Sequence, residues 1–312
     1  MQVYYSIDEF PGARNVVLTT GTFDGVHFGH RSILQRLARI ANETDGESVL
    51  LTFNPHPRLV LQPEADIKLL STLEEKIDLL RETDLDHLII HPFTREFSKI
   101  SSLDFIRKLL VEKIGAKRLV IGYDHHFGHN REGSFAHLKA DGSKYGFTVE
   151  EIPAQELNEV AVSSTKVRQA LAEANVELAA EWLGYNYGLQ GKVVKGQQIG
   201  HTLGFPTANI VVDDLNKRIP GEGVFAVTVQ RMHMPEKPSM HGMCNIGVKP
   251  TLGQGFQTIE VHIFDFDESI YGERLDVRFV KKLRLEQKFA SLDELKDQLQ
   301  RDRALAKEVL GL

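Results

Sequence analysis

The chain has 312 residues, of which 42% are hydrophobic and 26% charged, and this composition is typical of a globular protein long enough for two domains. A formal net charge of −6 argues against a general nucleic-acid-binding surface. The single cysteine, Cys244, excludes an internal disulfide and a cysteine-based metal site. Residues 1–12 lack the apolar core of a signal peptide, and no apolar run approaches roughly 18 residues, so we expect a cytoplasmic protein without a membrane partner.

In the first part of the chain, predicted strands alternate with predicted helices. Apolar residues at helical spacing, often preceded by Ser or Thr, predict helices that begin near residues 32, 71, 101 and 163, with one more ending at Leu183. Short apolar runs predict strands at 16–20, 48–53, 87–90, 118–122 and 147–152. This alternation predicts an α/β Rossmann-like domain with a mostly parallel sheet, helices on both faces and a ligand at the carboxyl edge of the strands.

The pattern changes near residues 184–188, after which helix signals are absent for roughly a hundred residues. Short strands are predicted there, at 189–194, 207–212, 223–230, 240–246, 257–264 and 274–281. A capping box at 291–294 then begins a long helix. We therefore predict a first domain at 1–184 and a second at 185–312, the latter a small antiparallel β-barrel or sandwich closed by a C-terminal helix.

The segment 21–30, GTFDGVHFGH, links the first predicted strand to the first predicted helix. Glycines let a ligand approach the backbone, and the N–H groups at a helix N-terminus favour anions. The pattern therefore predicts a nucleotide phosphate here, with His27 and His30 as hydrogen-bond donors. On the residues alone, two structural histidines or a metal-binding pair are alternatives, although a zinc pair would want further ligands and no catalytic Glu is adjacent.

In this context the HxGH string resembles the HxGH-type nucleotidyltransferases, and the longer string is similar to the bacterial bifunctional riboflavin kinase/FAD synthetase family. The resemblance implies that the two histidines contact the ATP triphosphate and stabilise charge at its α-phosphate. The ATP-binding residues that it implies for the adenylyltransferase are Gly21, Phe23, Asp24, Gly25, His27, Gly29, His30, Ser163, Ser164, Thr165, Lys166 and Arg168.

The segment 163–168, SSTKVR, is the second predicted phosphate element, because a Ser/Thr-rich helix N-terminus with Lys and Arg nearby suits a triphosphate. An ordinary helix cap is the alternative. The resemblance makes Arg168 the pyrophosphate clamp.

Two further segments resemble the flavin-binding loops of the family's first domain. They are TFNPHP at 52–57 and GYDHHFG at 122–128, where His125 replaces the usual Phe. A surface proline turn is the alternative for the first loop, and metal binding by His125, His126 and His129 is the alternative for the second. The flavin contacts implied for the adenylyltransferase are Asn54, Pro55, His56, Pro57, Asp124 and Phe127.

The string GFPTAN at 204–209 resembles the flavokinase motif, which implies that Thr207 and Asn209 bind Mg²⁺ and the ATP phosphates beneath a glycine-containing flap, 191–200. His201 stands where the family usually has Arg. A barrel corner is the alternative reading. The kinase residues implied for ATP binding are Gly191, Gly196, Gly200, Gly204, Pro206, Thr207 and Asn209.

Glu260 and His262 share one face of an alternating strand, opposite to its apolar residues. A lone strand Glu is usually solvent-exposed, but the resemblance makes Glu260 the general base of the kinase. It also implies that Glu260 and Arg284, the latter within LRLEQKF, contact riboflavin. A salt bridge from Arg284 to Glu286 or Asp293 is the alternative.

The combined motifs predict an enzyme that phosphorylates riboflavin to FMN and then adenylylates FMN to FAD, with ATP and Mg²⁺. The expected partners are these small molecules, with no nucleic acid, and a monomer is the default. The alternatives are a related nucleotidyltransferase and a non-catalytic regulator that binds a flavin or a nucleotide.

Overall fold

The computed structural model describes residues 1–122, 142, 144–152, 162–196, 199–248 and 257–312. The chain divides into two compact units, Met1–Ser164 and Thr165–Leu312. This division falls ahead of the predicted domain boundary after residue 184, because two helices that precede the barrel strands group with the second unit. The boundary at 184 stays a prediction.

The first unit contains a six-stranded sheet in which every neighbouring pair is parallel. Its strands lie in the order β1-β4-β3-β2-β5-β6. They are β1 (Gln2–Tyr4), β2 (Val17–Thr20), β3 (Ser48–Asn54), β4 (His87–Pro92), β5 (Arg118–Gly122) and β6 (Thr148–Ile152). Strand β2 is buried along its whole length, as expected for the interior of a parallel sheet. The predicted parallel sheet is confirmed, and β1 is an additional strand.

The helices of this unit begin at capping residues. Helix α1 begins at Phe28, ahead of the predicted start, because His27 caps it. The Thr72 side chain accepts the N–H of Glu75, whose carboxylate accepts the N–H of Thr72, so the predicted capping box is present. The helices are α1 (Phe28–Glu43), α2 (Pro57–Leu61), α3 (Leu73–Arg81) and α4 (Ser102–Asp104), which continues as a π-helical segment (Phe105–Lys113).

Neighbouring strands bring the loops of the first unit to one edge of the sheet. In the parallel pair β2 and β3, Thr20 lies opposite Leu51. The segments 21–27 and 54–57, which follow these strands, therefore leave the sheet at its carboxyl edge. This is the edge at which open α/β sheets bind ligands.

The second unit contains a closed antiparallel barrel with the strand order β10-β11-β8-β7-β12-β9. Its strands are β7 (Gly188–Val194), β8 (Ala208–Val211), β9 (Gly223–Arg231), β10 (Met240–Val248), β11 (Gln257–Ile263) and β12 (Arg274–Arg284). Side chains such as Phe225, Val261 and Phe279 are fully buried, because alternate residues point inward and fill a small barrel. Of the two predicted architectures, barrel and sandwich, the structure has the barrel.

The described helices near the barrel precede β7, lie between β7 and β8, or follow β12 in the chain. They are α5 (Ser164–Ala172), α6 (Val176–Leu183), α7 (Ile199–Thr202) and α8 (Leu292–Leu310). The Ser291 side chain caps α8 by accepting the N–H of Glu294. Helix α8 packs against β9, β10 and β12, and Ala306 joins Phe205, Met243 and Phe264 in one apolar cluster. The predicted C-terminal helix therefore covers part of the outer barrel surface.

Candidate active sites

His27 lies at the junction of loop 21–27 and α1. Its Nδ1 accepts the backbone N–H of His30 at 3.4 Å, so the ring caps the helix. A neutral imidazole that accepts at Nδ1 carries its proton on Nε2. Nε2–H is therefore the donor that His27 offers at a helix N-terminus, which is a favourable place for an anion.

Three aromatic rings form a stack at this junction. The rings of His27 and His30 lie 3.7 Å apart with an interplanar angle of 14°, and Phe23 stacks on His30 at 4.6 Å. Phe23 and His27 are buried, with exposures of 3% and 6%. The structure therefore brings together three predicted site residues and fixes the orientation of both imidazoles.

His30 is a neutral ring in this environment. Burial, followed by the charges of His27 and Lys76, lowers the pKa of His30 well below its usual 6.5. Its Nδ1 is buried and has no hydrogen-bond partner among the described residues. A buried neutral ring of this kind can act on a phosphate by donating a hydrogen bond.

Asp24 holds the glycine loop to the start of α3. Its carboxylate accepts the N–H groups of Leu70 at 2.9 Å and Ser71 at 3.1 Å, and the residue is 1% exposed. Gly25 has φ +79°, and a Cβ there would lie 2.7 Å from a Leu70 methyl group. These contacts favour a supporting role for Asp24 over the predicted ATP contact, because its charge is used inside the protein.

Lys76 lies under the same loop, and we did not predict it. Its Nζ donates to the Thr22 carbonyl at 2.9 Å, and the Thr52 hydroxyl donates to the same oxygen at 3.2 Å. Lys76 is 6% exposed. Burial lowers the pKa of Lys76, and the Asp24 carboxylate opposes that lowering. A buried cation therefore lies close to the histidine stack.

The predicted flavin loop follows β3. His56 is buried and caps α2, because its Nδ1 accepts the N–H of Arg58 at 3.1 Å. Pro57 occupies the first turn of this helix, where its missing N–H is tolerated. Asn54 and Pro55 are exposed. Two members of the predicted set are thus presented to solvent, while His56 shapes the backbone.

The remaining predicted residues of the adenylyltransferase set differ in placement. Ser164 donates through its hydroxyl to the Asp24 carbonyl at 3.1 Å, which joins segment 163–164 to the glycine loop. Lys166 is exposed and Arg168 half-buried on α5, whereas Gly21 and Gly29 flank the histidine stack. Residues 123–130, with Asp124 and Phe127, lie outside the described residues, as do the alternative metal ligands His125, His126 and His129.

The barrel brings together the main predicted kinase residues. Asn209 of β8 lies directly opposite Glu260 of β11 in the antiparallel register. The Thr207 hydroxyl donates to the Glu260 carboxylate at 3.5 Å. A Cβ on Gly196 would lie 2.2 Å from the Asn209 amide nitrogen, so only glycine lets the chain pass this close. A hydroxyl, an amide and a carboxylate therefore converge on the outer face of the barrel.

Thr207 and Glu260 border a cavity of about 290 Å³. Glu260 and His262 lie on its wall, whereas Val261 between them points into the barrel and is fully buried. The cavity is closed on other sides by α8 and the segment before it. Its other lining residues are Gly200, Leu203, Phe205, Val224, Met243, Asn245, Arg284, Glu286, Gln287, Phe289, Leu295 and Leu299.

His262 is held in one tautomer by the flavokinase motif. Its Nδ1–H donates to the Pro206 carbonyl at 2.8 Å. Burial lowers the pKa of His262, with a smaller opposing effect of this hydrogen bond. Since the neutral ring donates at Nδ1, it presents Nε2 as an acceptor. The contact also ties the loop before Thr207 to the strand that carries Glu260.

Arg284 forms the anchor between β12 and α8. Its guanidinium makes bidentate contacts with the Asp302 carboxylate, with Nε–Oδ1 at 2.9 Å and Nη2–Oδ2 at 2.8 Å, and Gln298 donates to the same carboxylate. Arg284 does form a salt bridge between two elements, as the alternative interpretation predicted. The acidic residue in this bridge is Asp302, so the predicted partners Glu286 and Asp293 are wrong. Arg284 lines the cavity while making this bridge.

The predicted glycine flap is partly described. Gly191 lies on β7, Gly196 beside Asn209, and Gly200 on α7, while residues 197 and 198 lie outside the described residues. Gly204 has φ +81° in the turn before Phe205. His201, which replaces the usual Arg, is exposed. The glycines therefore border the start of β8.

Both halves of the chain match known families. Residues 10–166 match the family model described as FAD synthetase, and residues 183–310 match the one described as riboflavin kinase. A bifunctional riboflavin kinase/FMN adenylyltransferase of Escherichia coli (strain K12) is 40% identical over 95% of this chain and 93% of its own length. The chain belongs to the bifunctional riboflavin kinase/FMN adenylyltransferase family. A member of this family from Haemophilus influenzae is 38% identical over 93% of this chain and 92% of its own.

A solved structure resembles this riboflavin kinase/FMN adenylyltransferase family member over nearly its whole length. It is described as a macrolide-efflux protein from Streptococcus pneumoniae, with a TM-score of 0.88, 28% sequence identity and coverage of 98% of each chain. In the part of the present chain that the structure describes, no helix has the length and apolar character needed to cross a membrane. The likeness to the solved structure supports the fold, and the family assignment depends on the sequence matches.

Lys76, Asn245 and Asp302 are the residues of these sites that motif reasoning missed. Asn245 lies opposite Glu260 on β10, and its amide bonds to the Glu286 carboxylate. Lys76 belongs to an amphipathic helix pattern, where a lysine is normally solvated. Asp302 lies in a helix with many charged residues. The burial of Lys76 and Asp302, and the position of Asn245 opposite Glu260, follow from tertiary packing, which the sequence pattern does not reveal.

Proposed function

We propose that this family member phosphorylates riboflavin to FMN in the barrel-containing unit and adenylylates FMN to FAD in the unit with the parallel sheet. The observation that carries the proposal is the convergence of Thr207, Asn209 and Glu260 beside the cavity, in a chain that also holds the His27–His30 pair on a helix N-terminus. The first group suits phosphoryl transfer to a hydroxyl, and the second suits adenylyl transfer between phosphates.

In the kinase reaction, the 5′-hydroxyl oxygen of riboflavin forms a bond to the γ-phosphorus of ATP, and the bond to the β–γ bridging oxygen breaks, releasing ADP. A ribityl hydroxyl is a weak nucleophile, so a base must take its proton. Glu260 is our candidate for this base. The Thr207 hydroxyl donates to the Glu260 carboxylate, and Asn245 lies opposite Glu260 on the neighbouring strand.

Mg²⁺ fits the donors beside Glu260. Hydroxyl, amide and carboxylate oxygens are the ligands that Mg²⁺ prefers, and Thr207 and Asn209 provide the first two. When bound, the ion would neutralise charge on the transferring phosphoryl group. Among the described residues, no cluster of three or more His, Cys, Asp or Glu side chains could hold a metal. Because the protein offers few ligands here, ATP phosphate oxygens would supply the remaining ligands of Mg²⁺.

In the adenylyltransferase reaction, a phosphate oxygen of FMN forms a bond to the α-phosphorus of ATP, and pyrophosphate leaves with the α–β bridging oxygen. The nucleophile is already anionic, so no base is required. The main demand is to bring two polyanions together and to stabilise the transition state. We propose that His27 and His30 donate hydrogen bonds at the α-phosphate, and that Lys166 and Arg168 bind the pyrophosphate.

The remaining predicted residues keep their roles within this proposal. Asn54 and Pro55 border the FMN site together with His56 and Pro57, and Arg284 borders the riboflavin site. The glycines of the flap bind the kinase ATP. The protein acts on small molecules without a nucleic-acid partner, which the net charge of −6 supports, and in the cytoplasm, which the single cysteine supports. A monomer is the default assumption for its oligomeric state.

The test is to incubate the purified protein with riboflavin and Mg-ATP and to separate the flavins by chromatography. We expect FMN to appear first and FAD to follow, with ADP and pyrophosphate released. FMN without FAD would contradict the adenylyltransferase assignment. Bound flavin without turnover would support the alternative of a non-catalytic regulator, and nucleotidyl transfer to another acceptor would support a related nucleotidyltransferase.

A further inference from the structure

Lys76 is a buried cation that no motif of the site includes. It is 6% exposed on α3, and its Nζ donates to the Thr22 carbonyl at 2.9 Å. Thr22 precedes Phe23, whose ring stacks on His30. The lysine is thus connected to the histidine stack by two consecutive residues of the glycine loop.

The histidine stack cannot readily hold two positive charges. The ring centroids of His27 and His30 are 3.7 Å apart, and like charges at this separation repel strongly in a buried site. The titratable groups that face His30 from the described elements are His27 on its own helix and Lys76 on α3. Burial lowers the pKa of Lys76, and the Asp24 carboxylate on the loop opposes that lowering by favouring the ammonium form. Lys76 is therefore the group best suited to carry the positive charge of this cluster.

We propose that Lys76 is a positioning residue for adenylyl transfer: its ammonium holds the Thr22 carbonyl, and with it the loop that places Phe23 against His30, and adds a positive charge beneath that loop. The neutral ring of His30 stays stacked between Phe23 and His27 and offers one N–H to the α-phosphate. The ammonium itself remains beneath the loop and contributes positive potential to the bound triphosphate. This inference rests on the proposed adenylyltransferase function.

Lys76→Met tests the charge, because methionine is unbranched and of similar length. We expect FMN adenylylation to fall by about tenfold or more, since loop position and local potential both change. Riboflavin phosphorylation by the same polypeptide is expected to stay unchanged. Lys108→Met is the matched control, because Lys108 is an exposed lysine of the same unit that pairs with Asp104 at 3.3 Å.

The decisive readout is the titration of His30 by NMR, with its signal assigned through His30→Gln. Removal of the Lys76 charge should raise the His30 titration midpoint, while Lys76→Arg, which keeps the charge, should hold it low. A purely structural role of Lys76 would leave that midpoint unmoved in both variants. An unchanged midpoint in Lys76→Met would overturn the proposal.

Lys76→Gln, which is neutral but can still donate to the Thr22 carbonyl, covers the case in which Lys76→Met does not fold, and it should raise the His30 midpoint in the same way. A raised His30 midpoint in the folded arginine variant would contradict the charge effect. The titration needs no turnover, so it remains informative even if the wild-type protein makes no FAD. If the proposed adenylyltransferase function is wrong, neither the wild-type protein nor Lys108→Met will form FAD from FMN.

Discussion

Replacement of Glu260 by Gln removes the proposed base while keeping the size and polarity of the side chain. We expect riboflavin phosphorylation to fall by about 10²- to 10⁴-fold, because general-base catalysis typically contributes this much. FMN supplied directly should still be converted to FAD at the wild-type rate. The measurement is the initial rate of each flavin product by chromatography.

Glu236→Gln is the control for this change, because Glu236 is an exposed residue of the same unit. It should leave both rates unchanged. If Glu260→Gln phosphorylates riboflavin at the wild-type rate, Glu260 is not the base. In that case the position of Glu260 opposite Asn209 and its hydrogen bond with Thr207 would have only a structural role.

His30→Ala removes the central ring of the stack that includes Phe23 and His27. We expect FAD formation from FMN to be lost, because the α-phosphate loses a preorganised donor and the His27 ring loses its neighbour. FMN formation from riboflavin should be retained. Both rates are measured in the same reaction, so the kinase rate is the internal control for folding. Equal loss of the two activities would contradict two separate sites.

The Arg284–Asp302 bridge connects the last barrel strand to α8, and its contribution can be measured by a double-mutant cycle. The side chains are 19% and 3% exposed, so the bridge is largely buried. Asp302→Asn leaves Arg284 without its charged partner and should lower the free energy of unfolding by about 3–5 kcal/mol. Arg284→Gln and the double variant complete the cycle, with unfolding in urea as the measurement.

The exposed Arg303–Asp265 pair is the matched control, because it joins the same helix to the end of β11 with side chains 38% and 70% exposed. Its coupling energy should be about 0–1 kcal/mol. Additive effects of Asp302→Asn and Arg284→Gln would show that the buried bridge does not couple the helix to the strand.

At the scale of elements, local sequence signals were sufficient to predict the strand, glycine loop and helix around 21–30 and the six strands of the barrel. The spacing of apolar residues, the helix-capping residues and the glycines of a turn are all local features, so they can be recognised in the sequence. Strand β1 was missed because it has three residues and is partly exposed. The start of α1 was placed late because a histidine is an unusual cap.

The contacts that complete the two sites join residues far apart in the chain, and the sequence could not reveal them. Lys76 donates to a carbonyl 54 positions away, and His262 donates to one 56 positions away. The partner of Arg284 was predicted among nearby acidic residues, whereas the packing of α8 brings Asp302 to it. Motifs identified candidate substrate-binding side chains, whereas tertiary packing decides which side chains support them.

At the scale of the whole molecule, the two proposed reactions are in series, because the product of the kinase is the substrate of the adenylyltransferase. Each proposed catalytic group belongs to a different compact unit, with Glu260 in one and His30 in the other. Diffusion of FMN through solution is the simplest connection between them. This arrangement predicts that two singly inactivated chains complement each other.

A mixture of His30→Ala and Glu260→Gln should therefore convert riboflavin to FAD, although neither variant does so alone. The reaction should begin with a lag while FMN accumulates, and the lag should shorten as the concentration of His30→Ala rises.

Labelled riboflavin with an excess of unlabelled FMN gives the sharper test. If FMN diffuses freely, the label in FAD is diluted equally in the mixture and in the wild-type protein. Less dilution in the wild-type protein would show that FMN passes between the sites without equilibrating with solution.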